Sequence, residues 1–121
     1  MTNTAKALYQ FFSGFGLPAY VEYSPPEDAA LPYITYQVVE PGWRESATLF
    51  ARVWYRSTSY VDINAKIDQI TAAVKEGVNI PTPGGAVYLA MGSPWGQNQP
   101  MEGDDTLKVV YLTFIINAIT T

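Results

Sequence analysis

The residues able to do chemistry define this chain first by what is missing. Its 121 residues include no histidine and no cysteine. That removes disulfides, thiolate zinc sites, cysteine nucleophiles and the imidazole base of every Ser-His-Asp arrangement. Carboxylates, Lys, Ser and Tyr remain, and none of them forms a recognisable catalytic set. Glu22 with Glu27, or Glu102 with Asp104, can be drawn as an acid and base pair. Such a pair needs a cleft and opposed pKa shifts, and solvated surface acids are the ordinary explanation. The run "GFGLP", Gly14 to Pro18, looks like a piece of a phosphate loop, but no strand precedes it, no third glycine follows and Pro18 interrupts the helix such a loop would open. It is a helix stop. "MEGDDT", Met101 to Thr106, places three carboxylates near Asn98, yet lacks the alternating ligand spacing and distal Glu of an EF-hand loop, so it reads as an acidic loop tip. The inventory predicts no enzyme, no metal and no cofactor.

Contact chemistry is better represented. In "ATLFARVWYRS", Leu49, Ala51, Val53 and Tyr55 alternate with Phe50, Arg52, Trp54 and Arg56. A strand so patterned turns one face to a core and leaves the other aromatic and basic. Arginine stems lying over the aromatics would close that second face within one subunit. If the helices cover only the opposite face, the same residues have the composition of a protein-protein contact, enriched in Trp and Arg. "EPGWRES", Glu40 to Ser46, puts Trp43 and Arg44 at the tip of a turn between strands, where Trp43 either folds back over the hairpin or reaches a neighbour. "SPWGQNQPMEGDDT", Ser93 to Thr106, separates two strand-like segments by far more than a hairpin needs. Its Trp95, Gln97, Asn98 and Met101 precede Glu102, Asp104 and Asp105, which suggests an apolar anchor beside an acidic, solvated half.

The elements that position these residues follow from periodicity. Ala5, Leu8, Phe11, Phe12 and Phe15 recur at helical spacing, with Thr2 or Thr4 as a cap and Gly14 and Gly16 to end the helix. "AYVEYS" is a short strand near an edge, halted by Pro25-Pro26, and "LPYITYQVVE" is a second, stopped by Pro41-Gly42. After the strand of Phe50 and Trp54, Ser59 and Asp62 make a weak capping box for a helix whose stripe is Ile63, Ile67, Ile70 and Val74, closed by Gly77. "PTPGG" resets the chain, Ala86 to Met91 is a fourth strand, and Leu107 to Ile119 is a fifth. The fifth is apolar on both faces, as suits a central strand or one covered by a partner. This order predicts an α+β fold, an antiparallel or mixed sheet of about five strands with two helices packed on one face.

Length and hydrophobic content, 121 residues and 48%, suit one domain spanning 1–121 with a substantial core. A net charge of -4 argues against tight binding to a phosphate backbone. The amino terminus lacks a signal-peptide pattern and "VVYLTFIINAI" is far shorter than a membrane span, which predicts a soluble protein made in a cytoplasm.

"LPYITYQ" at Leu31 to Gln37 and "VWYRSTSYVDINAKIDQITAAV" at Val53 to Val74 resemble a strand and a strand-to-helix junction of the tail terminator proteins, small tail-completion or minor capsid proteins, of long-tailed bacteriophages. The order of elements fits that family over nearly the whole chain. The resemblance implies a non-enzymatic virion protein assembled in the bacterial host cytoplasm. It implies a homo-hexameric ring that caps the tail tube, stops its polymerisation and docks the tail to the head connector. The tail tube protein and the connector or neck protein are then its partners, and DNA only passes through an acidic lumen without tight binding. No side chain carries over position by position, so the expected roles come from composition and location. Trp43, Arg44, Phe50, Arg52, Trp54 and Arg56 are expected at a subunit interface. Trp95, Gln97, Asn98, Met101, Glu102, Asp104 and Asp105 are expected to meet a partner or face the lumen. The alternatives are another head-tail joining protein, such as a head-completion adaptor, or a small-ligand-binding α+β domain with tyrosines lining a pocket.

Overall fold

The computed structural model describes residues 2–22, 25–42, 45–100 and 103–120, with backbone alone at 100, 119 and 120. Trp43, Arg44, Met101 and Glu102, on which part of the interface and loop expectations rest, lie outside the described residues.

The first helix, α1, spans Asn3–Phe12 because its apolar residues share a face and its start is capped. The Thr2 hydroxyl accepts the Ala5 N–H at 3.0 Å, as the sequence predicts. A 3-10 turn, Ser13–Phe15, ends it. Strand β1 (Ala19–Val21) follows, then β2 (Tyr33–Tyr36), β3 (Ser46–Arg56), helix α2 (Val61–Val74), β4 (Val78–Thr82), β5 (Gly85–Pro100) and β6 (Leu107–Thr120). α2 departs from expectation at its start. Tyr60, not Ser59, holds the cap position and no side chain caps the helix, although the Ser59 hydroxyl accepts the Val61 N–H at 3.4 Å. No helix is long and apolar enough to cross a membrane among the described residues.

The strands form one sheet in the order β1-β2-β3-β6-β5-β4, parallel only between β1 and β2. Six strands replace the expected five. The extra one, β4, runs from Val78 to Thr82 and takes in the first two residues of "PTPGG", leaving the turn to Pro83 and Gly84. As an outermost strand it tolerates Pro81, whose missing N–H would break a central ladder.

The expected long loop, 93–106, is corrected more heavily. β5 continues to Pro100 and pairs with β6 up to Pro100↔Lys108, so the connection shrinks to 101–106. What looks like loop composition is absorbed by an irregularity between Met91 and Gly96, where residues 92 to 95 stand opposite Thr113 alone. Gly92 is needed there: a Cβ would lie 2.8 Å from Thr113 Cγ2 and 3.0 Å from the Thr113 carbonyl oxygen.

Both helices pack on one face, as expected. Leu8 and Phe12 of α1 and Ile63, Ile70 and Val74 of α2 are fully buried with Leu49, Val53, Leu89, Leu112, Phe114 and Ile116 of the sheet. Each such side chain contributes about 1.5–3 kcal/mol on burial. Aromatic rings centre this layer: Phe12 stacks on Tyr36 at 4.7 Å and meets Phe114 edge-on at 5.4 Å.

Candidate functional site

The face of the sheet away from the helices carries the residues that the alternation of β3 singled out. Leu49, Ala51 and Val53 are buried under the helices, which turns Phe50, Arg52, Trp54 and Arg56 outward together. The register sets Thr113, Tyr111, Val109 and Leu107 of β6 beside them. An aromatic train runs across the outer strands, with Tyr20 edge-on to Tyr33 at 5.6 Å and Tyr33 tilted on Trp54 at 6.1 Å. The Trp54 indole N–H donates to the buried Thr35 hydroxyl at 2.9 Å, so Trp54 is anchored by its own subunit while remaining half-exposed.

The charges on this face are internally matched. Arg52 meets Glu22 at 3.2 Å and lies over the Tyr111 ring at 4.5 Å. Arg56 donates to Asp104 at 3.0 Å and to the Thr106 hydroxyl at 2.9 Å. Asp104 also accepts the Thr106 hydroxyl at 2.7 Å and the Thr106 N–H at 3.0 Å. These bonds, the Thr106 hydroxyl first and Arg56 next, hold the Asp104 carboxyl down at about 2. A guanidinium already paired within the subunit is poorly placed to neutralise a phosphate, and what the face presents is aromatic and amide surface.

Above the bulge of β5 the face sinks into an open depression of about 350 Å³, bordered by Thr48, Phe50, Ser93, Pro94, Gln97 and Ile115. Phe50 is 45% exposed and Ile115 38%, unusual for large apolar side chains on inner strands. Hydroxyl and amide groups share the rim with apolar carbons, and among the described residues no charged side chain lines it.

The structure sorts the expected residues unevenly. Phe50, Arg52, Trp54 and Arg56 share one face, and Arg56 joins Asp104, a residue expected at a separate site. Gln97 and Asn98 are exposed but belong to β5, not to a loop. Asp105 is exposed at the turn, and its carbonyl accepts the Lys108 ammonium. Trp95 moves furthest: it is no loop anchor but packs under α2, its ring 4.9 Å from Phe114 and its N–H donating to the Thr71 hydroxyl at 2.9 Å. Sequence reasoning missed Glu22, Tyr20, Tyr33, Tyr111 and Ile115 as members of this face. The signal for the last two was available, since residues alternating with buried Leu112 and Phe114 must face outward. Among the described residues, no three Asp, Glu, His or Cys side chains converge where they could hold a metal ion.

No family model matches this chain, and no curated protein matches it by sequence. Among solved structures, a chain of the virion of a native gene transfer agent (GTA) particle shares its fold, with a TM-score of 0.69, 15% identity and 100% of each chain covered.

Proposed function

We propose that this chain is a non-enzymatic structural protein of a phage-like virion and, more finely, a tail terminator: a homo-hexameric ring that caps the tail tube, stops its growth and docks the tail to the head connector. The observation that carries this reading is the end-to-end likeness of fold to a chain of a gene transfer agent virion. The uncovered sheet face supports it, since a half-bare sheet of aromatic and aliphatic residues suits a subunit completed by neighbours. A cyclic ring needs two unlike patches on each subunit that meet each other. DNA would pass through the lumen of an assembly whose subunits each carry -4.

The test is removal of the gene from the particle's producer, with complementation in trans, followed by negative-stain microscopy. Overlong tails without heads, restored to joined particles of uniform length by the intact gene, are expected. Tails of normal length beside heads that leak DNA would assign the protein to head completion instead. Unaltered particles would end the virion reading.

A further inference from the structure

The depression on the open face has a chemistry that selects its occupant. Phe50, Pro94 and Ile115 supply apolar carbon, and Thr48, Ser93 and Gln97 supply neutral hydroxyl and amide groups. A flat apolar body with one uncharged polar tip matches both, and tyrosine and tryptophan have that form. An aliphatic knob would leave the hydroxyls and the amide covered and unpaired, and a charged one would lose its hydration without gaining a counter-charge. Trp54 and Trp95 already give their N–H groups to Thr35 and Thr71 of their own subunit.

A matching group stands on the opposite side of the same chain. α1 turns Ala7, Leu8 and Phe12 toward the sheet, which leaves Lys6, Tyr9 and Gln10 in solvent. Tyr9 is 51% exposed, and it alone among the described tyrosines is neither buried nor half-buried. Its phenol makes no hydrogen bond among the described residues. Charge distinguishes the two patches in the sense that draws them together. Residues 1–21 hold Lys6 and no acid, so the negative balance of the chain lies wholly beyond them. Lys6 stands one helical turn from Tyr9 and enters no ion pair among the described residues. At the depression, the exposed Glu45 precedes Thr48 by three residues.

We infer that Tyr9 of one copy enters the Phe50–Ile115 depression of the next, with Lys6 beside Glu45, so that the helix layer of each copy packs on the bare sheet face of its neighbour. This rests on the ring reading and says which surfaces close the ring. The occupant is a second copy because the chain holds both halves of the contact: a depression that suits a tyrosine, with an acid near it, and an exposed tyrosine beside a cation. The halves lie on opposite faces, so copies join head to tail. Such a heterologous contact leaves each copy one open half at either end until the ring closes.

Two variants that each break one half make the test. Tyr9→Asp and Phe50→Asp, alone and mixed, are sized by sedimentation velocity beside the parent chain, once circular dichroism melts show that each folds. The parent is expected to form rings and each variant alone to remain monomeric. The equimolar mixture is expected to stop at a heterodimer, because one intact Tyr9 then meets one intact depression. Thr48→Arg, which fills the rim from an exposed position, takes the place of Phe50→Asp if that variant does not fold. Tyr9→Phe keeps the ring and drops the hydroxyl, and should weaken assembly by about two- to tenfold. Lys6→Glu should weaken it as well, and Glu45→Lys in the same chain should restore it. Rings from Tyr9→Asp, or a mixture that stays monomeric beside an assembling parent, would overturn the contact while leaving the ring reading standing. A parent that is monomeric at every concentration would sink both.

Discussion

Consecutive residues of β6 show how differently the two faces of one sheet are treated. Phe114 is fully buried, touching Phe11, Phe12 and Trp95, while its neighbour Ile115 is 38% exposed beside Phe50. Both are large and apolar, and both sit on a central strand. Hydrophobicity therefore does not separate the faces; the helices do, and they cover only one. The covered face accounts for the stability of the subunit, and the open face keeps apolar surface that the fold itself does not use.

Substitution at matched positions sharpens that contrast. Phe114→Ala is expected to cost about 3–5 kcal/mol, because it empties a site lined by three rings. Phe50→Ala should cost less than about 1 kcal/mol in the subunit, its ring being nearly half in solvent already. Thermal melts of both variants, each judged by circular dichroism, decide it; equal losses would mean that Phe50 belongs to a layer closed within the monomer. Assembly is expected to show the reverse order among variants that still fold, with Phe50→Ala and Trp54→Ala both reducing it.

Trp95 tests the boundary between the faces. As a ring inserted between Phe114 and α2, it should cost about 2–3 kcal/mol on truncation to Ala, and Trp95→Phe should recover much of that while leaving the Thr71 hydroxyl without its donor. Its fluorescence in the unassembled subunit is expected to be blue-shifted relative to the unfolded chain. A red, fully solvated emission component from this position would return Trp95 to the role of an exposed arm.

These residues also mark where the sequence could be read and where it could not. Both helices were legible because Leu8, Phe12, Ile63, Ile70 and Val74 repeat at the helical period, and the two-faced nature of β3 followed from strict alternation of small or aliphatic with aromatic or basic residues. β4 and the second half of β5 were not, because Pro81, Pro94, Gly96 and Asn98 are turn formers by local propensity, and only their place at the rim of the sheet lets them pair. Once Ser93 to Gln99 is taken as loop, Trp95 is set outside the core by the same error. The pairing of Arg56 with Asp104 joins residues 48 apart in sequence and depends on β3 and β6 being neighbours, which no local pattern encodes.

The smallest effect belongs to the turn that replaced the expected long loop. Asp104 is half-buried, and its carboxyl sits at about 2 instead of 3.8 because the Thr106 hydroxyl, Arg56 and the Thr106 N–H all bond to its charged form. A carboxylate whose folded pKa is depressed adds stability that is complete above its unfolded value and is lost as the pH falls through the folded one. That window runs from roughly pH 4 down to about pH 2. Asp104→Asn should therefore lower the melting temperature slightly near neutrality, with the gap from the parent chain closing as the pH falls across that window. A carboxyl carbon titration by NMR should place the midpoint near the lower end. A midpoint at the ordinary value would mean that Asp104 is not engaged, and the connection between β5 and β6 would again be a free acidic arm, available to a partner on the open face rather than pinned to Arg56 as part of it.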